Sequence, residues 1–177
     1  MKLSMRNVIL AADYGEIYRL FTDDNTNQLI LNKYDHNSMD VFKKWLDEKL
    51  LHEFNDFMVF HNDDGEFIGF AYTYDFNPID GHAVFSVAIK PQFQKIGCGG
   101  FVSVMFLKYL FLNYPLRKLY AHVYDYNVES IVCLERFGFI NEGVLKEYKY
   151  ACGKYRDLIF YTISKDDFWR NINYLGI

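Results

Sequence analysis

The sequence predicts a layered α/β domain, of the α+β type, in which a mixed, twisted sheet of about six to seven strands is flanked by about four helices. Its 177 residues suit a single domain. Apolar residues make up 51% and charged residues 24%, as in ordinary globular proteins. Runs with β periodicity alternate with runs of helical periodicity, which is typical of helices packed on a sheet. Because no repeat or linker interrupts this pattern, we expect one domain over residues 1–177.

The first half of the chain begins with one strand and two amphipathic helices. The first helix carries apolar residues at the i, i+3, i+4, i+7 spacing of one helix face, and Ser38 is a suitable N-cap for the second. A hairpin follows, because the Asp-Gly pair that ends at Gly65 supplies the positive φ that such turns require. The predicted elements are a strand at 3–10, helices at 13–21 and 38–54, and hairpin strands at 57–61 and 67–74.

The second half alternates strands with helices. Residues 99–113 are apolar nearly all round, which predicts a helix packed against the sheet. Two late β runs are joined by a short turn at 151–153. The predicted elements are strands at 83–89, 118–124, 143–150 and 155–163, and helices at 99–113 and 128–137.

Charge and cysteine content exclude several classes of function. The net charge is −4, with −8 in residues 1–80 and +4 in residues 81–177. An acidic chain is a poor candidate for binding nucleic acid. Cys98, Cys133 and Cys152 have no metal-ligand spacing and form no disulfide framework, and no apolar run reaches the ~18 residues of a membrane span. We therefore expect no metal, no nucleic acid, no membrane contact, and a reducing, cytoplasmic location.

The most informative segment, VFSVAIKPQFQKIGCGGF at 84–101, combines a strand end, a proline turn and three glycines before a long helix. Glycines let the backbone approach a ligand closely, and the N–H groups and dipole of a helix start attract phosphate. The segment lacks the Gly-Lys-Ser/Thr of an NTPase loop and the first glycine of the dinucleotide fingerprint. Two interpretations remain. One is an anion site, to which Lys95 would add a charge, and the other is a helix start whose glycines serve only packing.

A second motif, NVESIVCLERFGF at 127–139, predicts a short helix with Asn127 as its N-cap and Gly138 as its C-terminal stop. Together with QKIGCG at 94–99, it resembles the GNAT superfamily of acyl-CoA-dependent N-acetyltransferases. The earlier run matches the family's pyrophosphate motif, Gln/Arg-x-x-Gly-x-Gly/Ala, at every fixed position. The tail at 142–157 looks like the branch that contains spermidine and ribosomal-protein N-acetyltransferases.

The resemblance implies a GNAT-like fold with acetyl-CoA as co-substrate, bound by the half at 81–177. Backbone amides of residues 94–100 would hold the pyrophosphate, and strand residues would pair with the pantetheine arm between two splayed strands. A bound amine would attack the thioester directly, with a backbone N–H near Val87 or Ala88 stabilising the negative charge. The implied cofactor-binding residues are Val87, Ile89, Gln94, Lys95, Ile96, Gly97, Cys98, Gly99, Gly100, Asn127 and Ser130.

The catalytic acid and base are indicated less directly. Many relatives have a tyrosine that serves as the catalytic acid at the position where this chain has Leu134. Because the pKa of a thiol is near ~8.5, the CoA thiolate is a tolerable leaving group without such an acid. His122 is the best candidate base if its ring faces the cleft, because imidazole titrates near neutral pH. Strand alternation allows instead a histidine packed under a helix. Tyr124 and Tyr126 are candidates for an acid or a substrate contact, and we expect Cys98 to be a packing residue, since no His/Asn arrangement supports a thiol nucleophile.

The acidic half at 1–80 lies where the first two helices of this family usually wall the acceptor site. The resemblance therefore favours a small cationic amine as the acceptor. The alternatives are a protein N-terminus, as in the ribosomal-protein acetyltransferases, a non-catalytic acyl-CoA sensor, and an interaction domain that binds no CoA. The high aromatic content would suit a homodimer. The carboxylates that would attract the cation are Asp23, Asp24, Asp35, Asp40, Asp47 and Glu48.

Overall fold

The computed structural model describes residues 2–30, 38–51, 54–94, 97–151 and 153–175. These described residues form seven strands, six α-helices and one short 3₁₀ turn. In chain order they are β1 (Ser4–Asn7), α1 (Leu10–Thr22), α2 (Asp24–Leu29), α3 (Met39–Leu50), β2 (Phe57–His61), β3 (Phe67–Asn77), β4 (His82–Ile89), the 3₁₀ turn (Pro91–Phe93), α4 (Cys98–Asn113), β5 (Lys118–Tyr124), α5 (Val128–Arg136), β6 (Ile140–Ala151), β7 (Lys154–Ser164) and α6 (Lys165–Leu175).

All seven strands belong to one sheet, in the order β1-β2-β3-β4-β5-β7-β6. Neighbours are antiparallel except for the central pair β4 and β5, which is parallel. Helices α1 and α3 cover one face, over a core that includes Phe42, Trp45 and Phe70. Helices α4, α5 and α6 cover the other face, over a core that includes Phe106 and Leu110. The sheet thus separates two apolar cores. None of the described helices has the length and apolar character that crossing a bilayer requires.

The predicted layered class is confirmed, and several local signals act as predicted. Strand β5 begins and ends at the predicted residues. Helix α3 begins after Ser38, whose hydroxyl oxygen accepts the Val41 N–H at 3.4 Å. Gly65 has a φ of +77° in the turn between β2 and β3. These features depend on neighbouring residues, which explains why the sequence alone indicates them.

The predicted number of about four helices is too low, because α2 and α6 were not predicted. Both have N-caps that sequence inspection could have found. The Asp23 carboxylate accepts the Thr26 N–H at 2.8 Å at the start of α2, and the Ser164 hydroxyl accepts the Asp167 N–H at 3.1 Å at the start of α6. The shortness of α2 leaves little periodicity to detect.

The first strand is also shorter than predicted, since residues 9–10 begin α1 instead of ending β1. The cause is Asp13, which is 3% exposed. Its carboxylate accepts the Ile9 N–H at 2.7 Å and two hydrogen bonds from Arg6, at 2.6 and 2.7 Å. Burial alone would raise the pKa of Asp13, but these hydrogen bonds outweigh it and lower the pKa. The ion pair therefore turns the chain from β1 into α1.

Candidate active site

The parallel strands β4 and β5 part in the middle of the sheet. Residues 82–84 lie opposite residues 118–120, and the pairing ends there. Beyond that point β4 continues against β3 as far as Ile89, while β5 continues against β7 as far as Tyr124. A gap therefore opens between two central strands, in the place where the resemblance implied a splay.

The free edge of β4 presents main-chain groups to this gap. The Lys90 N–H donates to the Ile68 carbonyl of β3 at 2.8 Å. In an antiparallel pair, successive residues alternate between bonding to the partner strand and pointing away from it. Ala88 therefore bonds to β3, whereas the N–H and C=O groups of Val87 and Ile89 point into the gap. Of the two amides expected near the reacting carbonyl, that of Val87 has the suitable direction and that of Ala88 does not.

The glycine turn brings the start of α4 next to the end of β4. Gly97 precedes the helix with a φ of +86°, a left-handed conformation that a residue with a Cβ rarely adopts. Gly99 lies against the strand, since a Cβ added to it would be 3.8 Å from Ile89 Cγ1. The Gln94 side-chain amide donates to the Ile89 carbonyl at 2.8 Å and ties the turn to the strand. The N–H groups and positive dipole end of α4 thus adjoin the gap.

Two of the backbone amides predicted to hold an anion also donate hydrogen bonds within the chain. The Gln94 N–H donates to the Pro91 carbonyl at 3.2 Å, and the Gly100 N–H donates to the Gly97 carbonyl at 3.1 Å. Gly100 is also needed for packing, because a Cβ there would lie 2.9 Å from Phe137 Cε2. One of these amides ties the turn together and the other belongs to the helix, so their predicted binding of the pyrophosphate stays a prediction.

The first-turn amides of Cys98 and Gly99 occupy the positions at which an α-helix has no intrahelical acceptor. The Cys98 side chain itself is only 1% exposed. Burial raises the pKa of its thiol, which is opposite to the depressed pKa expected at a helix start. This environment agrees with a packing role for Cys98. Lys95 and Ile96, which were also predicted to bind the cofactor, lie outside the described residues.

The second motif forms a capped helix beside the gap. Asn127 is 9% exposed, and its side-chain oxygen accepts the Ser130 N–H at 3.2 Å. The cap uses the amide oxygen, so the NH₂ group of Asn127 is the part that can donate to a ligand. Leu134 is 8% exposed and lies in the same core cluster as Phe139. It occupies the position at which many relatives have the tyrosine that serves as the catalytic acid.

His122 lies on the face of the sheet opposite to Leu134, two residues beyond the last paired position of β5. Its Nδ1 is 3.3 Å from the Tyr74 hydroxyl oxygen. The Phe160 ring packs beside it, with centroids 4.4 Å apart. Burial lowers the pKa of His122, an effect that the nearby charge of Asp75 partly offsets. The ring is therefore mainly neutral near pH 7.

Tyr124 and Tyr126 stack on one another, with centroids 5.4 Å apart and planes 9° from parallel. Tyr124 is 4% exposed, and burial raises the pKa of its hydroxyl well above the usual value. The Tyr126 hydroxyl donates to the Gln28 carbonyl of α2. These contacts favour a structural role for Tyr124 and Tyr126 over a source of protons. We call the rings of Tyr72, Tyr74, Tyr124 and Tyr126 the aromatic wall.

Lysine and arginine side chains of the protein lie over the tyrosine rings of this wall. Burial lowers the pKa of two of them, Lys49 and Lys149. Such pairs form between residues far apart in the chain, so no local pattern predicted them. The pairs are Lys49 with Tyr72 and Tyr74 (5.3 and 5.2 Å from Nζ to the centroids), Lys149 with Tyr124 (4.2 Å) and Arg156 with Tyr126 (5.2 Å from Cζ).

Asp125 adds a carboxylate to the same wall and was missed by sequence reasoning. Its Oδ2 is 3.8 Å from Arg156 Nη1. Its Oδ1 is buried and has no hydrogen-bond partner in the described part of the chain. A buried acceptor without a donor is costly, so this oxygen is suited to a donor from a ligand. The available signal was an acidic residue directly after a predicted strand.

Among the described residues, the predicted acidic side chains of the first half do not form one cluster at the gap. Asp23 caps α2, Asp24 lies exposed on that helix, and Asp35 lies outside the described residues. The others line an open groove of about 680 Å³ on α3, where two lysines offset their charge. That groove is lined by Asp40, Lys43, Lys44, Asp47, Glu48 and Leu51.

Comparison with known proteins identifies the family. A family model described as an acetyltransferase (GNAT) domain matches residues 7–160. The SPbeta prophage-derived uncharacterized N-acetyltransferase YokL of Bacillus subtilis is 25% identical over 134 residues, which cover 76% of this chain and 75% of YokL. The spermidine N(1)-acetyltransferase of Vibrio cholerae is 32% identical over 91 residues, which cover 51% of this chain and 53% of that enzyme.

Solved structures share the fold of this chain. The crystal structure of spermidine N-acetyltransferase from Vibrio cholerae in complex with CoA and spermine matches with a TM-score of 0.85 and 25% identity, covering 94% of this chain and 98% of that one. A dodecameric structure of the Vibrio cholerae enzyme in an intermediate state matches with a TM-score of 0.79 and 24% identity, covering 94% and 95%. The chain therefore belongs to the GNAT acetyltransferases and is an N-acetyltransferase with acetyl-CoA as its co-substrate.

Proposed function

We propose that this enzyme transfers an acetyl group directly from acetyl-CoA to a primary amine of a small cationic molecule, with polyamines as the first class to test. The observation that carries the proposal is the gap between β4 and β5 beside the glycine turn of α4. The matched relative from Vibrio cholerae is named for spermidine, which supports a polyamine acceptor.

The residues around the gap fit acetyl-CoA, which supplies an activated thioester when bound. The first-turn amides of Cys98 and Gly99 would hold the pyrophosphate. The Val87 C=O and the Ile89 N–H would pair with the pantetheine arm, and the NH₂ group of Asn127 would donate to the cofactor. The Val87 N–H would also stabilise the carbonyl oxygen as it gains negative charge.

The acceptor needs two things from the protein: a site for its cationic groups and a route for its protons. A substrate ammonium must first lose one proton to become nucleophilic. The amine nitrogen then bonds to the acetyl carbon, the C–S bond breaks, and a second N–H proton goes to the sulphur. The unpartnered Oδ1 of Asp125 and the exposed carboxylate of Asp75 would attract the cation at the mouth of the gap.

We also propose how the chain divides its work. The half at 81–177 would bind acetyl-CoA, while the acceptor side would draw on both halves, since the Tyr126 hydroxyl contacts Gln28 of α2. Assembly into at least a dimer is supported by the dodecameric Vibrio cholerae structure. A cytoplasmic location is supported by the free thiols of Cys98 and Cys133.

The proposal is tested by measuring CoA release with spermidine, spermine, a peptide with a free N-terminus, and no amine. We expect release that depends on the polyamines. Release with the peptide alone would identify a protein N-terminal acetyltransferase instead. Stabilisation by acetyl-CoA without turnover of any amine would indicate a sensor. Acetyl-CoA at ~100 times its Kd should add about 2.7 kcal/mol to the free energy of unfolding, so its absence would overturn cofactor binding.

A further inference from the structure

A contact between Tyr74 and His122 spans the point at which β4 and β5 part. Tyr74 is on β3, opposite Val84, which is the last residue of β4 that pairs with β5. His122 is on β5, two residues beyond that pairing. The two side chains meet over β4, with 3.3 Å between Tyr74 Oη and His122 Nδ1. The histidine is thus held at the mouth of the gap by a residue from another strand.

The direction of this hydrogen bond determines which nitrogen of His122 carries the proton. A tyrosine hydroxyl has one proton to donate, and a partly buried hydroxyl needs an acceptor for it. Within the described residues, His122 Nδ1 is the acceptor in reach of Tyr74 Oη. If Nδ1 accepts, then the proton of the neutral ring is on Nε2. Nε2 is therefore a donor, which is the opposite of the role expected of a general base.

We propose that Tyr74 holds His122 in the Nε2–H tautomer, and that this N–H donates a hydrogen bond to the thioester oxygen or sulphur as it gains negative charge. The inference rests on the proposed function, because the acceptor of that hydrogen bond is the bound thioester. It requires no proton transfer, so it does not depend on the ring changing its charge. It gives this chain an electrostatic group that compensates for Leu134 at the family's tyrosine position.

The groups around the pair keep it in this state. Asp75 is the charged group that acts on His122, and Phe160 packs beside the ring from β7. Lys49 of α3 lies over the Tyr74 ring, with its Nζ 5.2 Å from the centroid. Burial, together with the charges of neighbouring Asp75 and of ionised tyrosines, raises the pKa of Tyr74 well above its usual value. Tyr74 therefore retains the proton that it donates.

The first experiment separates a donor from a base at position 122. The amide of His122→Gln retains an N–H near the position of Nε2 but accepts no proton, whereas His122→Leu has neither function. We expect His122→Gln to retain kcat within about fivefold and His122→Leu to lose about 100-fold, as when one such donor is removed elsewhere. KM for acetyl-CoA should not change. The control is His82→Gln, at the paired end of the gap, with an unchanged kcat. Equal losses in the Gln and Leu variants would overturn the donor role.

The second experiment reads the tautomer directly. Long-range ¹H–¹⁵N NMR of the unliganded protein should show His122 Nδ1 without a proton and Nε2 with one. Tyr74→Phe should abolish that preference and lower kcat about tenfold, while the control Tyr14→Phe, in α1 with its hydroxyl on Met39 Sδ, should do neither. A proton on Nδ1 in the native protein would overturn the proposal. The NMR measurement on the native protein needs neither turnover nor a variant. Failure of the acetyltransferase assay can therefore be distinguished from failure of the proposed hydrogen bond, even if a variant does not fold.

Discussion

The two sides of the gap are built from different parts of the chain. In the proposed function the cofactor side would consist mainly of main-chain groups within one segment, from Val87 on β4 to Gly99 in α4, together with the Asn127 side chain. The proposed acceptor side would consist of side chains from β3, β5, α3 and the β6–β7 hairpin, such as Tyr74, His122 and Lys149. A site made of backbone tolerates changes of side chain but not of conformation. A site made of side chains tolerates conservative backbone change but depends on each residue.

The largest expected effect comes from changing conformation on the cofactor side. Gly97→Asp places a Cβ at a φ of +86° and a negative charge at the helix start. We expect acetyl-CoA affinity to fall about 100-fold, or roughly 3 kcal/mol, by calorimetric titration. The control is Gly65→Asp, which has a similar φ of +77° in a remote turn with no atom near the new Cβ. If both variants bind acetyl-CoA equally, the cofactor side is not where we place it.

A smaller effect is expected from removing one charge on the acceptor side. Asp125→Asn preserves the shape of the side chain but removes the carboxylate that has an unpartnered oxygen. KM for a polyamine should rise about fivefold, or roughly 1 kcal/mol for a partly exposed ion pair, while the Kd of acetyl-CoA stays the same. Asp64→Asn, in the β2–β3 turn, serves as the control. An unchanged KM would show that Asp125 does not contact the acceptor.

Tyr126→Phe separates a structural hydroxyl from a catalytic one. The hydroxyl donates to the Gln28 carbonyl, so its loss should lower the free energy of unfolding by about 1 kcal/mol. The pH dependence of kcat should not change, because the proton is already engaged by α2. Thermal unfolding and a pH–rate profile measure the two effects. Loss of one limb of the pH–rate profile would show instead that Tyr126 acts as a catalytic acid.

The smallest effect is expected at Cys98. Because burial raises the pKa of its thiol, the thiolate is scarce at pH 7 to 8, and alkylation by iodoacetamide should become appreciable only at higher pH. Cys98→Ala should retain kcat within about twofold, since the thiol takes no part in transfer and Ala is also small and apolar. Rapid alkylation at pH 7 that acetyl-CoA prevents would show an activated thiol at the helix start and contradict this reading.

Sequence reasoning was most successful where the signal was local. The order of strands and helices, the glycine turn before α4 and the capping of α5 by Asn127 follow from residues a few positions apart. It was less successful where a side chain has two uses. Gln94 was predicted to bind the cofactor, and its side-chain amide also donates to the Ile89 carbonyl at 2.8 Å. Tyr126 was expected to serve chemistry, but its hydroxyl holds α2.

Patterns within short stretches of the chain were enough to predict the layered α/β class, the resemblance to acetyl-CoA-dependent enzymes and a candidate anion site at the glycine turn. Such features depend on φ preferences, helix caps and periodicity, which act between near neighbours in the chain. The contact of Tyr74 with His122 and the unpartnered oxygen of Asp125 beside Arg156 become visible only in the folded chain. Contacts of this kind depend on strand register and on the parting of β4 from β5, and residues that meet there are separated by tens of positions in the sequence.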